Sequence, residues 1–294
     1  MKNLKALALC VLTVGFFFSC EKEETISETQ PEVSTELSKE DQIALAKAGV
    51  SPLNAEYTTL MDIDGTPTKG ILAGSEGYKD IFIALDQLAA QALPEDGDAD
   101  NKQYRTNNLV SAINNIDVVG YTGNCRGGLN CALTAKMREG LRRAVDNYNA
   151  LNIRLNFRLS FTSNISGAEM IIFSPANNTG AGGVAEFPLN GRPGRLIRIF
   201  RGMDRFDEDV NEHVIAHEMG HAVGFRHTDY ARRRCDGSNE FAGSFGAIRI
   251  PGTPAGNQWN GPNLDSDSIM ISCFDDQEDG EFSDFDKVAL EALY

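Results

Sequence analysis

All four histidines of the 294-residue chain fall between positions 213 and 227, and three of them carry the spacing of metal ligands. The stretch reads His217-Glu218-x-x-His221-x-x-Gly224-x-x-His227. On a helix, positions i and i+4 stand one above the other, so His217 and His221 can reach one ion. Gly224 tolerates a positive φ, which ends the helix and turns the chain back to deliver His227 as a third ligand. Three neutral nitrogens leave a fourth tetrahedral position open, the pattern of a catalytic rather than a structural zinc. Glu218, beside the first ligand, is placed to take a proton from water. A bare HExxH also occurs on helices that hold no metal, but the added glycine and third histidine argue against that reading here. His213, one turn ahead of His217, is expected to be a core or supporting histidine, because later residues already serve the ion.

The first 20 residues, MKNLKALALCVLTVGFFFSC, have a basic start at Lys2 and Lys5 and an apolar run over residues 6–18. That run is short for a membrane span. It ends at Cys20 in a setting that resembles the cleavage box of bacterial lipoproteins. The resemblance implies cleavage before Cys20, lipidation of its thiol, and an exported lipoprotein at the outer membrane or cell surface. Glu21-Lys22-Glu23-Glu24 resembles an acidic surface-export tag and reads equally well as a solvated charge run.

Removing residues 1–20 leaves 27 − 2 = 25 basic and 42 acidic residues, a net charge near −17. A chain so acidic is poorly suited to neutralise a phosphate backbone, so nucleic acid is not an expected partner. The membrane enters only through the anchor at Cys20. Cys125, Cys131, Cys235 and Cys273 remain, and an even number in an exported protein suggests disulfides. Three connectivities are open, with neighbour-to-neighbour pairing the expectation. A four-thiolate zinc site would need paired CxxC units, which the spacing lacks.

Residues 21–37 read as a flexible tether, 38–100 as an N-terminal pro-like region and 101–294 as a catalytic domain. Ser38 caps a short helix that Gly49 stops. A strand is expected at 71–73 and a helix at 80–92, followed by an acidic loop. Over 131–150, Leu133, Met137, Leu141, Ala144, Val145 and Tyr148 share one helical face. Strands are expected at 153–161, 168–175, 183–188 and 194–200. The metal-site helix runs from about 207 to 223. Regular structure thins after His227, and a final helix begins at Ser283 with Asp286 close to a capping box. The carboxylates at 275, 276, 278 and 279 are a candidate Ca2+ site, but they lack the spacing of known calcium motifs and are better read as an acidic surface loop.

The three-histidine motif followed by Met270 in Asp-Ser-Ile-Met resembles a metzincin zinc peptidase, in which that methionine packs beneath the metal without ligating it. KQYRTN (102–107), HEMGHAVGFRHTD (217–229), GAIRIPGTP (246–254), the Ser268–Cys273 stretch and the closing FSDFD…LY (282–294) narrow the resemblance to the dual-action HEIGH metallopeptidase family, over roughly residues 101–294. Met219 replaces the isoleucine of the family name, and Tyr230 stands where tryptophan is usual. The resemblance implies an α+β fold with a small twisted sheet, an active-site helix, an irregular C-terminal subdomain and a terminal helix. It implies one catalytic Zn2+ on His217, His221 and His227, Glu218 as general base, and a polypeptide substrate laid antiparallel along an edge strand, for which 183–188 is the candidate. The tyrosine that some metzincins place just after the methionine turn is absent, since residues 271–274 are Ile, Ser, Cys and Phe. Tyr230 is a candidate substitute, though a buried aromatic is the plainer reading. Asp229 either orients part of the site or caps a turn. Some metzincin propeptides place an aspartate or cysteine on the zinc, and Asp80 is a candidate for that contact. A plain structural role for its segment is the expectation. Two other functions fit the residues: a surface binding lipoprotein with a vestigial metal site, and a zinc amidase acting on a cell-wall polymer. The intact Glu218 argues against the first.

Overall fold

The computed structural model describes residues 35–75, 78–91, 104–240 and 247–294. The signal segment, Cys20, the tether up to residue 34 and the acidic loop 94–100 lie outside these residues.

The expected α+β class holds, with a larger sheet than the five anticipated strands would make. Eight strands run in the order β1-β2-β3-β8-β9-β7-β5-β6. They are β1 (Glu56–Met61), β2 (Pro67–Ser75), β3 (Tyr78–Ala84), β5 (Asn115–Tyr121), β6 (Asn156–Thr162), β7 (Met170–Phe173), β8 (Gly183–Glu186) and β9 (Leu196–Ile199). A separate two-stranded piece pairs β4 (Tyr104–Arg105) with β10 (Ile248–Arg249). Helix α1 (Lys39–Lys47) is capped by Ser38, whose side chain accepts from Asp41 N. Its last turn gives way to Gly49 at φ 74°.

Residues 80–92 depart from expectation. Only α2 (Leu88–Gln91) is helical, and the apolar run Ile81-Phe82-Ile83-Ala84 is part of β3. Each of these four residues is buried. A strand covered on both faces shows no polar-apolar alternation, so its pattern cannot be told from that of a buried helix segment.

In the second half, α3 (Ala135–Ala150) starts at the cap Thr134, four residues later than expected, and Met137, Leu141, Ala144, Val145 and Tyr148 are buried as one stripe. That stripe faces α4 (Glu208–Val223), and Tyr148 Oη donates to Ala216 O at 3.0 Å. Every residue of α4 from Val210 to Val223 is buried. A helix with no wet face lies inside a core. The apolar residues of α3, α4, β5 and β7 form one large cluster with Met270 and Leu290. Leu45, Ile71, Ala73, Ile81, Ile83 and Leu88 form a smaller one with Phe187. The terminal helix α5 (Asp284–Leu293) has the reciprocal capping box of Ser283 and Asp286.

Both expected disulfides are present. Cys125–Cys131 and Cys235–Cys273 have Cα separations of 5.5 and 5.7 Å, within the usual range for a bridge.

Candidate metal centre

Helix α4 carries His217 and His221 one turn apart, capped at its start by Asp207 and ended by Gly224 at φ 109°. Phe225 N then donates to Gly220 O at 2.9 Å, closing the last turn and sending the chain back across the helix. His227 thereby comes to face the other two histidines. His221 Nε2 and His217 Nε2 lie 3.1 and 3.3 Å from His227 Nε2.

Each ring has its other nitrogen engaged. His217 Nδ1 bonds Ile269 O at 2.8 Å, His221 Nδ1 bonds Phe225 O at 2.9 Å, and His227 Nδ1 meets the Glu240 carboxylate. A carbonyl or carboxylate oxygen only accepts, so each Nδ1 carries a proton and each Nε2 faces the centre. Asp80 Oδ2 completes the set, 3.1 Å from His227 Nε2. Among the described residues this is the one grouping of three or more histidine, cysteine or acidic side chains able to hold an ion. Four acceptor atoms share at most one proton, an arrangement that is repulsive without a cation. Tetrahedral zinc with ligands at about 2.0–2.1 Å needs nitrogens roughly 3.3 Å apart, close to the 3.1 and 3.3 Å from His227 Nε2 to the other two. The donor set therefore fits zinc.

Burial drives the ionisation of the centre. It pulls His217 down to about 3 and His221 well below the usual imidazole value, so both are neutral as ligands must be. Burial opposes charge on His227 too, but the Glu240 and Asp80 carboxylates outweigh it and push that ring up to about 9. Glu240 is held near 2, because His227 and Arg233 more than offset its burial. Glu218 is pushed well above the carboxylate range by burial and by the nearby Asp80. Its Oε2 is buried with no hydrogen-bond partner among the described residues. A buried carboxylate oxygen without a partner is unusual, and this one lies next to His217.

Met270 packs against helix α4 at Gly220, and its carbonyl accepts from Thr228 N at 2.9 Å. A methyl group on Gly220 would come within 2.4 Å of its Sδ, so the glycine of the motif makes room for the methionine. Gly183, at the start of β8, is similarly pressed against Glu218, with 2.7 Å from a built Cβ to Oε1. Asp229 joins the chain after His227 to the methionine turn. It accepts from Ser272 N at 3.0 Å, Ser272 Oγ at 2.8 Å and Arg234 N at 2.7 Å. Tyr230 packs edge-on against Tyr104, and its hydroxyl accepts from Asn257, so it is a buried aromatic. His213 is buried with Nδ1 3.5 Å from Glu278 Oε2, and takes no part in the ligand group. Asp275 and Glu278 pair with Arg234 instead of gathering into an ion site.

Glu240 joins the centre without any local sequence signal. Asp80, a candidate for the metal contact whose segment is expected to be structural, turns its carboxylate to the three histidines. It arrives on β3, which pairs in parallel with β8 through Ile81↔Ala185 and Phe82↔Glu186. The edge of β8 expected to receive substrate is thus occupied by the chain's own strand. Gly183, Phe200, His217, Glu218, Ser272 and Phe274 border a cleft that Tyr78–Asp80 also lines.

The family model described as dual-action HEIGH metallo-peptidase matches residues 78–294. The match begins upstream of position 101 and takes in the whole of β3. Two solved structures of myroilysin are similar. One is 15% identical, covers 76% of this chain and 93% of its own, and has a TM-score of 0.40. The other is 13% identical, covers 74% and 90%, and has a TM-score of 0.37. No curated protein matches the chain.

Proposed function

This chain belongs to the dual-action HEIGH metallopeptidase family, and we propose that it is a zinc-dependent endopeptidase made in a latent form, with Asp80 at the fourth ligand position. The observation that carries this reading is the convergence of His217, His221, His227 and Asp80 beside the unpaired carboxylate of Glu218. A zinc ion held by the three histidines supplies Lewis acidity to the scissile carbonyl and to water. Glu218 takes the proton of the attacking water and passes it to the leaving nitrogen. Met270 supports the histidines by packing, and Glu240 holds His227 in the ligating tautomer.

Substrate is read as an extended peptide antiparallel to β8, bonded through the backbone. The parallel pairing of β3 with β8 gives it the opposite polarity. The chain's own peptide bonds are then offered backwards to Glu218, which accounts for a strand that fills the cleft without being cut. On this reading residues 38–100 are a propeptide, and Asp80 leaves the centre when the enzyme is activated. The resemblance of residues 1–20 to a lipoprotein signal supports export and anchoring through Cys20, which would put the activity outside the cell.

The test uses the chain without its first 20 residues, carrying Asp80→Ala, with and without Glu218→Gln. Both are expected to hold one zinc. Only the first should cleave casein, and a chelator should stop it. Removing the general base is expected to lower the rate at least about 100-fold. Equal cleavage by the Glu218→Gln protein would contradict the mechanism. Cleavage of a cell-wall polymer but not of casein would contradict the substrate class.

A further inference from the structure

Asp80 does more than fill the ligand position, because it marks where a negatively charged oxygen sits in this centre. Its Oδ2 is 3.1 Å from His227 Nε2, and Arg233 Nη2 stands 3.4 Å from the same atom. The Arg233 side chain is fully buried. Its Nη1 is 3.3 Å from Glu240 Oε1, and its Nη2 is 3.4 Å from Ser272 O. Its Nε has no hydrogen-bond partner among the described residues.

We propose that Arg233 is a catalytic residue, the donor that stabilises the oxyanion formed on the scissile carbonyl once Asp80 has left. The proposal rests on the peptidase reading above. The placement of Arg233 carries it. Arg233 pairs with both Asp80 and Glu240, while Arg226 pairs with Glu240. Departure of Asp80 removes the carboxylate that Arg233 Nη2 faces and leaves that positive charge aimed at the ligand position. A neutral peptide carbonyl entering there matches that charge poorly, and an oxyanion matches it well. Such an interaction strengthens as the reaction proceeds, which is what lowers a barrier.

In the step itself, the water oxygen bonds to the carbonyl carbon and one water proton goes to Glu218. The carbonyl π pair moves onto oxygen, where Arg233 donates. The carbonyl re-forms as the C–N bond breaks, and Glu218 gives its proton to the leaving nitrogen. The second water proton follows to that nitrogen, so the products are a carboxylate and an ammonium. Arg233 itself neither gains nor loses a proton.

The guanidinium is fixed in place before substrate arrives. Arg233 N donates to Ser238 O at 2.9 Å, Asp229 accepts from the next amide, and Cys235–Cys273 ties this segment to the methionine turn. A donor held this way needs no reorganisation when charge develops. Residues 271–274, just after Met270, are Ile, Ser, Cys and Phe and include no tyrosine to do the same work.

The test compares Arg233→Gln with its parent, both carrying Asp80→Ala and both loaded with zinc. Calorimetry measures binding of a phosphinic peptide, which mimics the anionic tetrahedral state, and of the matching uncharged substrate peptide to the Glu218→Gln form. Arg233→Gln is expected to lower kcat about 100- to 1,000-fold with KM nearly unchanged. Phosphinate affinity should fall by a similar factor, while binding of the uncharged peptide holds. Unchanged kcat, unchanged phosphinate affinity, or equal weakening of both ligands would overturn the role. Should Arg233→Gln fail to fold or to retain zinc, Arg233→Lys carries the test, since it keeps the charge but loses the fork of donors. A loss confined to the phosphinate supports the role, and a loss shared by both ligands or absent from both overturns it. If the parent itself binds zinc and phosphinate but cuts no peptide, the peptidase reading fails while the comparison of the two ligands still judges Arg233.

Discussion

The N-terminal lobe and the histidine-bearing half share one sheet but are built on different terms. The lobe, from Leu37 to Leu88, has its own small apolar cluster, closed over by Phe187. The histidine-bearing half has a far larger cluster that runs from β5 through α3 and α4 to α5. Within the lobe, β1 pairs with β2 and β2 with β3, and the strand pairing that joins the lobe to the other half is the short parallel one of β3 with β8, supported by Arg198–Asp62 and by Arg126 N donating to Ile63 O. The lobe contributes Asp80 to the metal centre, whereas the other half contributes all three histidines, Glu218, Glu240 and Arg233. The difference teaches that a region with a small core of its own can still supply a side chain to a site built by the other half.

The sharpest way to break this comparison is to cut a hole in each cluster. Ile71→Ala in the lobe and Leu141→Ala in the main core each remove a fully buried side chain. Each is expected to cost about 2–5 kcal/mol where it is felt. Leu141→Ala should lower the melting temperature of the whole protein and its zinc content. Ile71→Ala should loosen only the lobe, leaving zinc bound and raising casein cleavage above that of the parent. If thermal unfolding and zinc content respond alike to both, the two regions are one cooperative unit.

A smaller effect sharpens the roles of the two carboxylates on His227. Glu240→Gln keeps an acceptor for Nδ1 but removes the charge. Zinc affinity, measured by competition with a chelating dye, is expected to fall about 10- to 100-fold. Undiminished affinity would mean that Glu240 serves only the arginines.

The smallest effect concerns Asp286, which holds the methionine turn from below. It accepts from Ser268 Oγ at 2.6 Å and from Ile269 N at 2.8 Å. Burial nevertheless raises it from 3.8 to about 6. A raised acid binds its proton more tightly folded than unfolded. Its contribution to stability is therefore complete below pH 3.8 and is lost as pH rises through about 6. Melting temperatures of parent and Asp286→Asn should diverge across that window, the parent losing ground, and parallel curves would contradict the assignment.

Much of the centre was legible because its signals are local. His217, His221, Gly224 and His227 lie within three helical turns, and their spacing needs no knowledge of the rest of the chain. The same holds for the Ser283–Asp286 box and for cysteines paired with their neighbours. Ile116 and Val118 are both buried about the half-buried Asp117, so β5 also carries a local alternating signal. What sequence reading missed depends on distant partners. Ile81–Ala84 is buried on both faces, so its pattern does not separate strand from helix. Asp80 gains its meaning from histidines in the far half of the chain. Glu240 and Arg233 stand in an irregular stretch where no periodicity marks a buried charge, and only the fold brings them together beside His227.

The central claim is that Asp80 keeps a competent centre closed. The direct measurement is the casein-cleavage rate of the zinc-loaded chain without its first 20 residues, beside the same protein carrying Asp80→Ala, at equal zinc content. The account expects the substituted protein to be faster by at least about 100-fold, as when the open form of the parent is populated at about 1%. Equal rates at equal zinc would contradict it.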